Sequence, residues 1–118
     1  MGSYKLLING QMVDGDMTMD VINPATEDVV ATCARASEAQ LNDAVAAAKA
    51  AFPAWSATSI DERKKVVLSI ADAIEAHGEE LARLLTQEQG KPLADATGEV
   101  FGTAAFFRYF TSLDLPVK

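Results

Sequence analysis

The apolar pattern of this chain changes period once and does not change back. As far as Ala36 the apolar residues stand in short runs, cut by Asn9-Gly10, Asp14-Gly15-Asp16 and Asn23-Pro24. From Ser37 onward they recur at helical spacing. Strands followed only by helices cannot complete a β-α-β crossover, which needs a parallel strand after the helix. A doubly wound nucleotide-binding domain requires several such units, so this chain can supply at most the outer layer of one.

Within the first part, Lys5–Ile8 and Gln11–Val13 flank Asn9-Gly10, a pair that favours a type I′ hairpin because both residues accept positive φ. Thr18–Ile22 forms a further strand, broken at Pro24, which has no amide proton for a ladder. Asp28–Ala34 is the last strand, carrying Val29 and Val30. Helices fill the rest. Ser37 with Gln40, and Ser59 with Glu62, have the spacing of capping boxes, in which side chains satisfy amide protons left free at a helix start. Leu41, Val45, Ala48 and Phe52 share one face of the first helix, which Pro53 is expected to end. Val66, Val67, Ile70 and Ile74 carry the second helix to a break at His77-Gly78. A shorter helix from Glu79 includes Leu81, Leu84 and Leu85, and Gly90 followed by Pro92 is a strong stop. The last helix runs from Leu93 to Ser112, with Val100, Ala104 and Phe107 on one face. The expected fold is therefore α+β: hairpin strands over residues 1–36, then three or four helices over 37–118, as one domain or a piece of one.

Of the 118 residues, 49% are hydrophobic and 23% charged, enough apolar surface for a folded core. The formal charge of −7 and a pI near 4.5 argue against nucleic acid or anionic membrane as partners. No apolar run reaches membrane-spanning length, and the first residues have no secretory pattern. Leu6 stands where a myristoylation signal requires Ser or Thr, so Gly2 is not a lipid site. Cys33 is the only cysteine, which excludes an internal disulfide and fits a reducing, cytoplasmic setting.

Few residues suggest chemistry. Cys33 lies in an apolar strand with no His or basic residue beside it in sequence, the setting of an inert thiol. His77, the only histidine, cannot make a four-ligand zinc site with a single Cys. Its place at a helix end suits a cation complementing the dipole. Asp61-Glu62 before Arg63-Lys64-Lys65, and Glu79-Glu80, read as solvated charges ordered by that dipole. No catalytic, cofactor-binding or metal-binding residue emerges, and no glycine-rich phosphate loop precedes a helix. Gly98 and Gly102 are anomalous, each costing up to about 1 kcal/mol against Ala inside a helix. Close helix packing and a cavity lining both account for them.

Several phrases, in order, resemble the aldehyde dehydrogenase superfamily in its N-terminal segment. Ile8-Asn9-Gly10 resembles the opening hairpin. Asn23-Pro24-Ala25-Thr26-Glu27-Asp28-Val29-Val30 resembles N-P-A-T-G-E-V-I, read as shortened by its missing Gly. Ala46-Ala47-Ala48-Lys49-Ala50-Ala51-Phe52-Pro53-Ala54-Trp55 is similar to A-A-x-x-A-F-x-x-W. Glu88-Gln89-Gly90-Lys91-Pro92-Leu93 resembles E-x-G-K-P-L, and Gly98-Glu99-Val100 and Phe107-Arg108-Tyr109-Phe110 complete the set.

The resemblance implies the outer part of the cofactor domain of an NAD- or NADP-dependent enzyme. Such an enzyme oxidises an aldehyde to an acid through a cysteine thioester, with a glutamate activating water. It also implies that those residues lie outside this sequence: Cys33 does not match the nucleophile, and Glu88 belongs to the G-K-P phrase rather than to the base. Gly98 and Gly102 match positions facing the substrate tunnel. The expected partners are the remainder of a dehydrogenase chain and, through Phe101, Phe106, Phe107 and Phe110, other copies of this one. A second reading of the sequence is a non-catalytic helical module for assembly or interaction.

Overall fold

The computed structural model describes residues 4–114. It divides after Ala57 into two compact units. The first holds strands β1 (Leu6–Ile8), β2 (Gln11–Val13), β3 (Met17–Ile22) and β4 (Val29–Arg35), followed by helix α1 (Glu38–Ala57). The second holds α2 (Ile60–Ala76), α3 (Gly78–Gln89) and α4 (Leu93–Ser112).

The strands form two antiparallel ribbons. In β1–β2, Leu6 faces Val13 and Ile8 faces Gln11, and the turn has φ 51° at Asn9 and 73° at Gly10. These are the left-handed values that the Asn-Gly pair predicts. In β3–β4, Met17 opposes Arg35 and Asp20 opposes Thr32, whose Oγ1 donates to the Asp20 carboxylate at 2.6 Å. The register shifts between Val21 and Ile22.

The Asn23–Asp28 turn corrects one sequence expectation. Glu27 sits at φ 64°, and its N–H donates to the Asn23 carbonyl at 2.8 Å. Counted from Asn23, Glu27 occupies the Gly place of the N-P-A-T-G-E phrase, so the phrase keeps its full length and has Glu where Gly would be unstrained. A left-handed conformation costs a non-glycine residue about 1 kcal/mol or more. Glu27→Gly is therefore expected to stabilise the first unit by about 1 kcal/mol. Urea unfolding followed by circular dichroism would measure this, and a destabilised variant would contradict it.

Helix α1 begins at a side-chain lattice. Gln40 Oε1 accepts from the amides of Ser37 (3.2 Å) and Asp16 (2.9 Å), while its Nε2 donates to the Asp14 carbonyl at 2.9 Å. Ser37 Oγ accepts from the Gln40 amide at 3.3 Å and donates to the Asp16 carboxylate. The expected capping box thus also ties the β2–β3 turn to the helix start. The expectation that Pro53 ends α1 is wrong: the helix continues to Ala57 with Pro53 inside. Proline removes one hydrogen bond, to the carbonyl four residues back. Lys49 and Pro53 are both exposed, so water can serve that carbonyl, and Ala54 to Ala57 sustain the helix.

In the second unit, Ser59 and Glu62 form the reciprocal capping box of α2, each accepting from the other's amide at 3.2 Å. His77 caps α2 and Gly90 caps α3 at φ 80°, its amide donating to Thr86 at 2.8 Å. Helix α4 has the limits read from the sequence. The core is built from small residues. Ala71 of α2, Ala82 of α3, and Ala96, Val100 and Ala104 of α4 are buried, with Ile74 and Leu85 packed alongside. Alanine at a crossing lets helices approach closely. Gly78 does the same for an aromatic ring, since a Cβ there would lie 2.7 Å from Phe101 Cζ.

Candidate functional site

Helix α4 is anchored on one face and open on the other. Ala96, Val100 and Ala104 turn inward, spaced four apart. Arg108 reaches α2, its Nη2 donating to Glu75 at 2.6 Å and Asp72 at 2.8 Å. These bonds raise the guanidinium pKa well above its ordinary value, through Glu75 first and then Asp72, so it stays charged at any working pH. Lys91 pairs with Glu99 near the start of the helix.

Gly98 and Gly102 each lie two residues after an inward alanine or valine, about 200° around the axis, and so on the opposite face. Gly98 is exposed and Gly102 half-buried. A Cβ added to either would meet no other atom within 4 Å. Among the described residues, then, no helix packs closely against these glycines. Beside Gly102 lies a groove of about 390 Å³ lined also by Ala105, Phe106 and Tyr109.

The other singled-out residues lie elsewhere. Cys33 is half-buried in β4, opposite Met19, with an isolated parallel bridge from Tyr4. His77 Nδ1 lies 3.5 Å from Glu80 at the α2–α3 junction. That junction borders a cavity of about 670 Å³ rimmed by Glu75, Glu79 and Arg83. Glu88 borders an apolar groove with Leu84, Leu85 and Val100. Phe106, Tyr109 and Phe110 are exposed, whereas Phe107 is half-buried. Among the described residues no three His, Cys, Asp or Glu side chains gather as metal ligands, and no helix is long and apolar enough to cross a membrane.

A dinucleotide does not fit what is described. Its pyrophosphate rests where a glycine-rich turn joins a parallel strand to a helix N-terminus. Here both ribbons are antiparallel, and the starts of α1 and α2 are closed by their own Ser, Gln and Glu side chains. Sequence reading missed two features, the Arg108 clamp and the seating of Phe101 on Gly78. The first left a trace: Asp72 and Glu75 stand three apart on one helical face, a spacing that presents two carboxylates together.

The profile of the aldehyde dehydrogenase family matches residues 12–115. The chain belongs to that family. The rat mitochondrial methylmalonate-semialdehyde/malonate-semialdehyde dehydrogenase (acylating) is 48% identical over 101 residues, 84% of this chain and 19% of the relative. A probable aldehyde dehydrogenase of a Pseudomonas species is 43% identical over 114 residues, 97% of this chain and 23% of the relative. Among solved structures, an NAD-dependent aldehyde dehydrogenase from Sinorhizobium meliloti superposes with a TM-score of 0.89 at 37% identity, over 94% of this chain and 23% of that one. PnpE in complex with nicotinamide adenine dinucleotide gives 0.87 at 41% identity, over 98% and 26%. The match lies in the N-terminal part of these proteins, and the chain spans between 19% and 26% of their length.

Proposed function

We propose that this chain is the N-terminal part of an NAD- or NADP-dependent aldehyde dehydrogenase, building the outer layer of its cofactor domain without carrying its chemistry. The observation that carries this reading is the coverage: nearly all of this chain aligns with about a quarter or less of each relative. In the parent, the cofactor would accept hydride from the aldehyde carbon, and the groups that hold it belong to the remaining sequence. We place the parent in the cytoplasm, a reducing setting in which Cys33 stays a free thiol. Purified as 118 residues and supplied with NAD and a panel of aldehydes, the chain is expected to form no NADH above background. Turnover that follows the protein through purification and is lost in Cys33→Ser would overturn this.

Within that parent, Gly98 and Gly102 serve the substrate tunnel by leaving room for a bulky aldehyde. The open space at both positions, with no helix packed on them among the described residues, supports this reading.

A second reading, a non-catalytic assembly module, is favoured by the exposed Phe106, Tyr109 and Phe110. Apolar patches of this kind drive association. Light scattering at micromolar concentration is expected to give a mass above the 12.6 kDa monomer. A monomer would count against it.

A further inference from the structure

Helix α1 carries its most apolar stripe outward. Leu41, Val45, Ala48 and Phe52 fall within about 60° of arc, a narrow seam of the coiled-coil kind. Yet Leu41 is 58% exposed, Val45 59% and Phe52 64%, and Ala48 is exposed as well. The half-buried residues of the helix are Gln40, Ala44 and Ala47, on another side. Thus α1 rests on Gln40 and two alanines and leaves its large apolar side chains exposed. Asn42 and Lys49 stand exposed along one edge of the stripe, and Asp43 lies on the opposite face.

We infer that this stripe is the docking seam by which the segment seats against the remaining polypeptide of an aldehyde dehydrogenase, a partner presenting an uncharged apolar surface. The inference rests on the proposed function and goes beyond it in naming the surface. Two observations select this occupant. In the relatives that share this fold at TM-scores of 0.89 and 0.87 the matched segment is 23% and 26% of the chain, and the remainder has to lie against some face of it. The seam itself is narrow. Three large side chains fall short of the roughly 800 Å² per partner that a stable dimer of separate molecules buries. A tethered partner needs no such area, because the linkage supplies its effective concentration.

The test compares Leu41→Gln/Val45→Gln/Phe52→Gln in two settings, glutamine keeping helix propensity. One is this chain as it stands. The other is the rat relative in which this chain replaces the matched segment. In the chain alone, the triple substitution is expected to leave Tm and helicity unchanged. In the chimera it is expected to lower Tm by more than about 10 °C or abolish soluble protein, as loss of a buried seam does. An unchanged chimera Tm would overturn the inference, as would equal loss in both settings. An insoluble unsubstituted chimera would overturn it too, since the seam would then have no complementary surface. A stable but inactive chimera would sink the functional reading alone, and its Tm would still report on the seam.

Discussion

Replacing Gly15 with alanine is expected to be strongly destabilising to the strand unit, by about 3 kcal/mol. The glycine is not there for a left-handed backbone, since its φ is not positive. It is there because a Cβ would stand 2.5 Å from the Arg35 carbonyl oxygen, 2.7 Å from the Arg35 nitrogen and 2.8 Å from the Met17 carbonyl oxygen. All three are backbone atoms, and no rotamer change moves them aside. Met17 and Arg35 are also the first register pair of the β3–β4 ladder, and the flanking Asp14 and Asp16 are held by Gln40. Relief would therefore break the ladder end, the Gln40 lattice or both. The expected cost is about 3 kcal/mol, the upper end for overpacking, from a total of roughly 5–15 kcal/mol for a domain. Urea titration with circular dichroism would read it. Gly10→Ala, where the added Cβ meets nothing within 4 Å, is the companion that isolates backbone strain alone. Equal losses at the two sites would show that the tight approach at Gly15 relaxes freely.

In the proposed parent enzyme, Gly98→Leu with Gly102→Leu is expected to raise KM for bulky aldehydes by at least about tenfold, with little change for small ones. The selectivity of the change is the point, because filling a tunnel excludes by size, whereas distorting the helix would harm every substrate. Both positions are open in this chain, and Leu is the better helix former by nearly 1 kcal/mol each. The same pair should therefore raise the thermal stability of the 118-residue chain while narrowing the enzyme's substrate range. Equal KM changes for large and small aldehydes would remove Gly98 and Gly102 from the tunnel.

The sequence shows most clearly what neighbouring residues decide among themselves. Asn9-Gly10 specifies its hairpin, Ser59 with Glu62 its cap, and Gly90 with Pro92 the end of α3 and the start of α4, because each depends on bonds a few residues long. Pro53 misled for a related reason. Its local cost is real, but exposure of the carbonyl it frees makes that cost bearable, and exposure is not written in the local sequence. Gly15 reads as an ordinary turn glycine because its constraint comes from Arg35, twenty residues on. The partners of Arg108 leave only the three-residue spacing of Asp72 and Glu75 as a trace, for the same reason. The glycines of α4 stood out in sequence because Gly is costly in a helix, but only the fold shows that nothing packs against them. The residues that would complete an active site do not come together among those described, and the ordered family phrases were what pointed to the enzyme.

The alanine-lined crossing of α2, α3 and α4 also has a calorimetric consequence. Heat-capacity change and denaturant sensitivity both scale with the surface that unfolding uncovers. With Ala71, Ala82, Ala96 and Ala104 at the centre and Ile70, Leu81, Phe106 and Phe110 already exposed, this unit hides less surface for melting to expose than one built on large buried side chains. Its stability curve should be shallow and its transition broad, with heat and urea acting on it gradually.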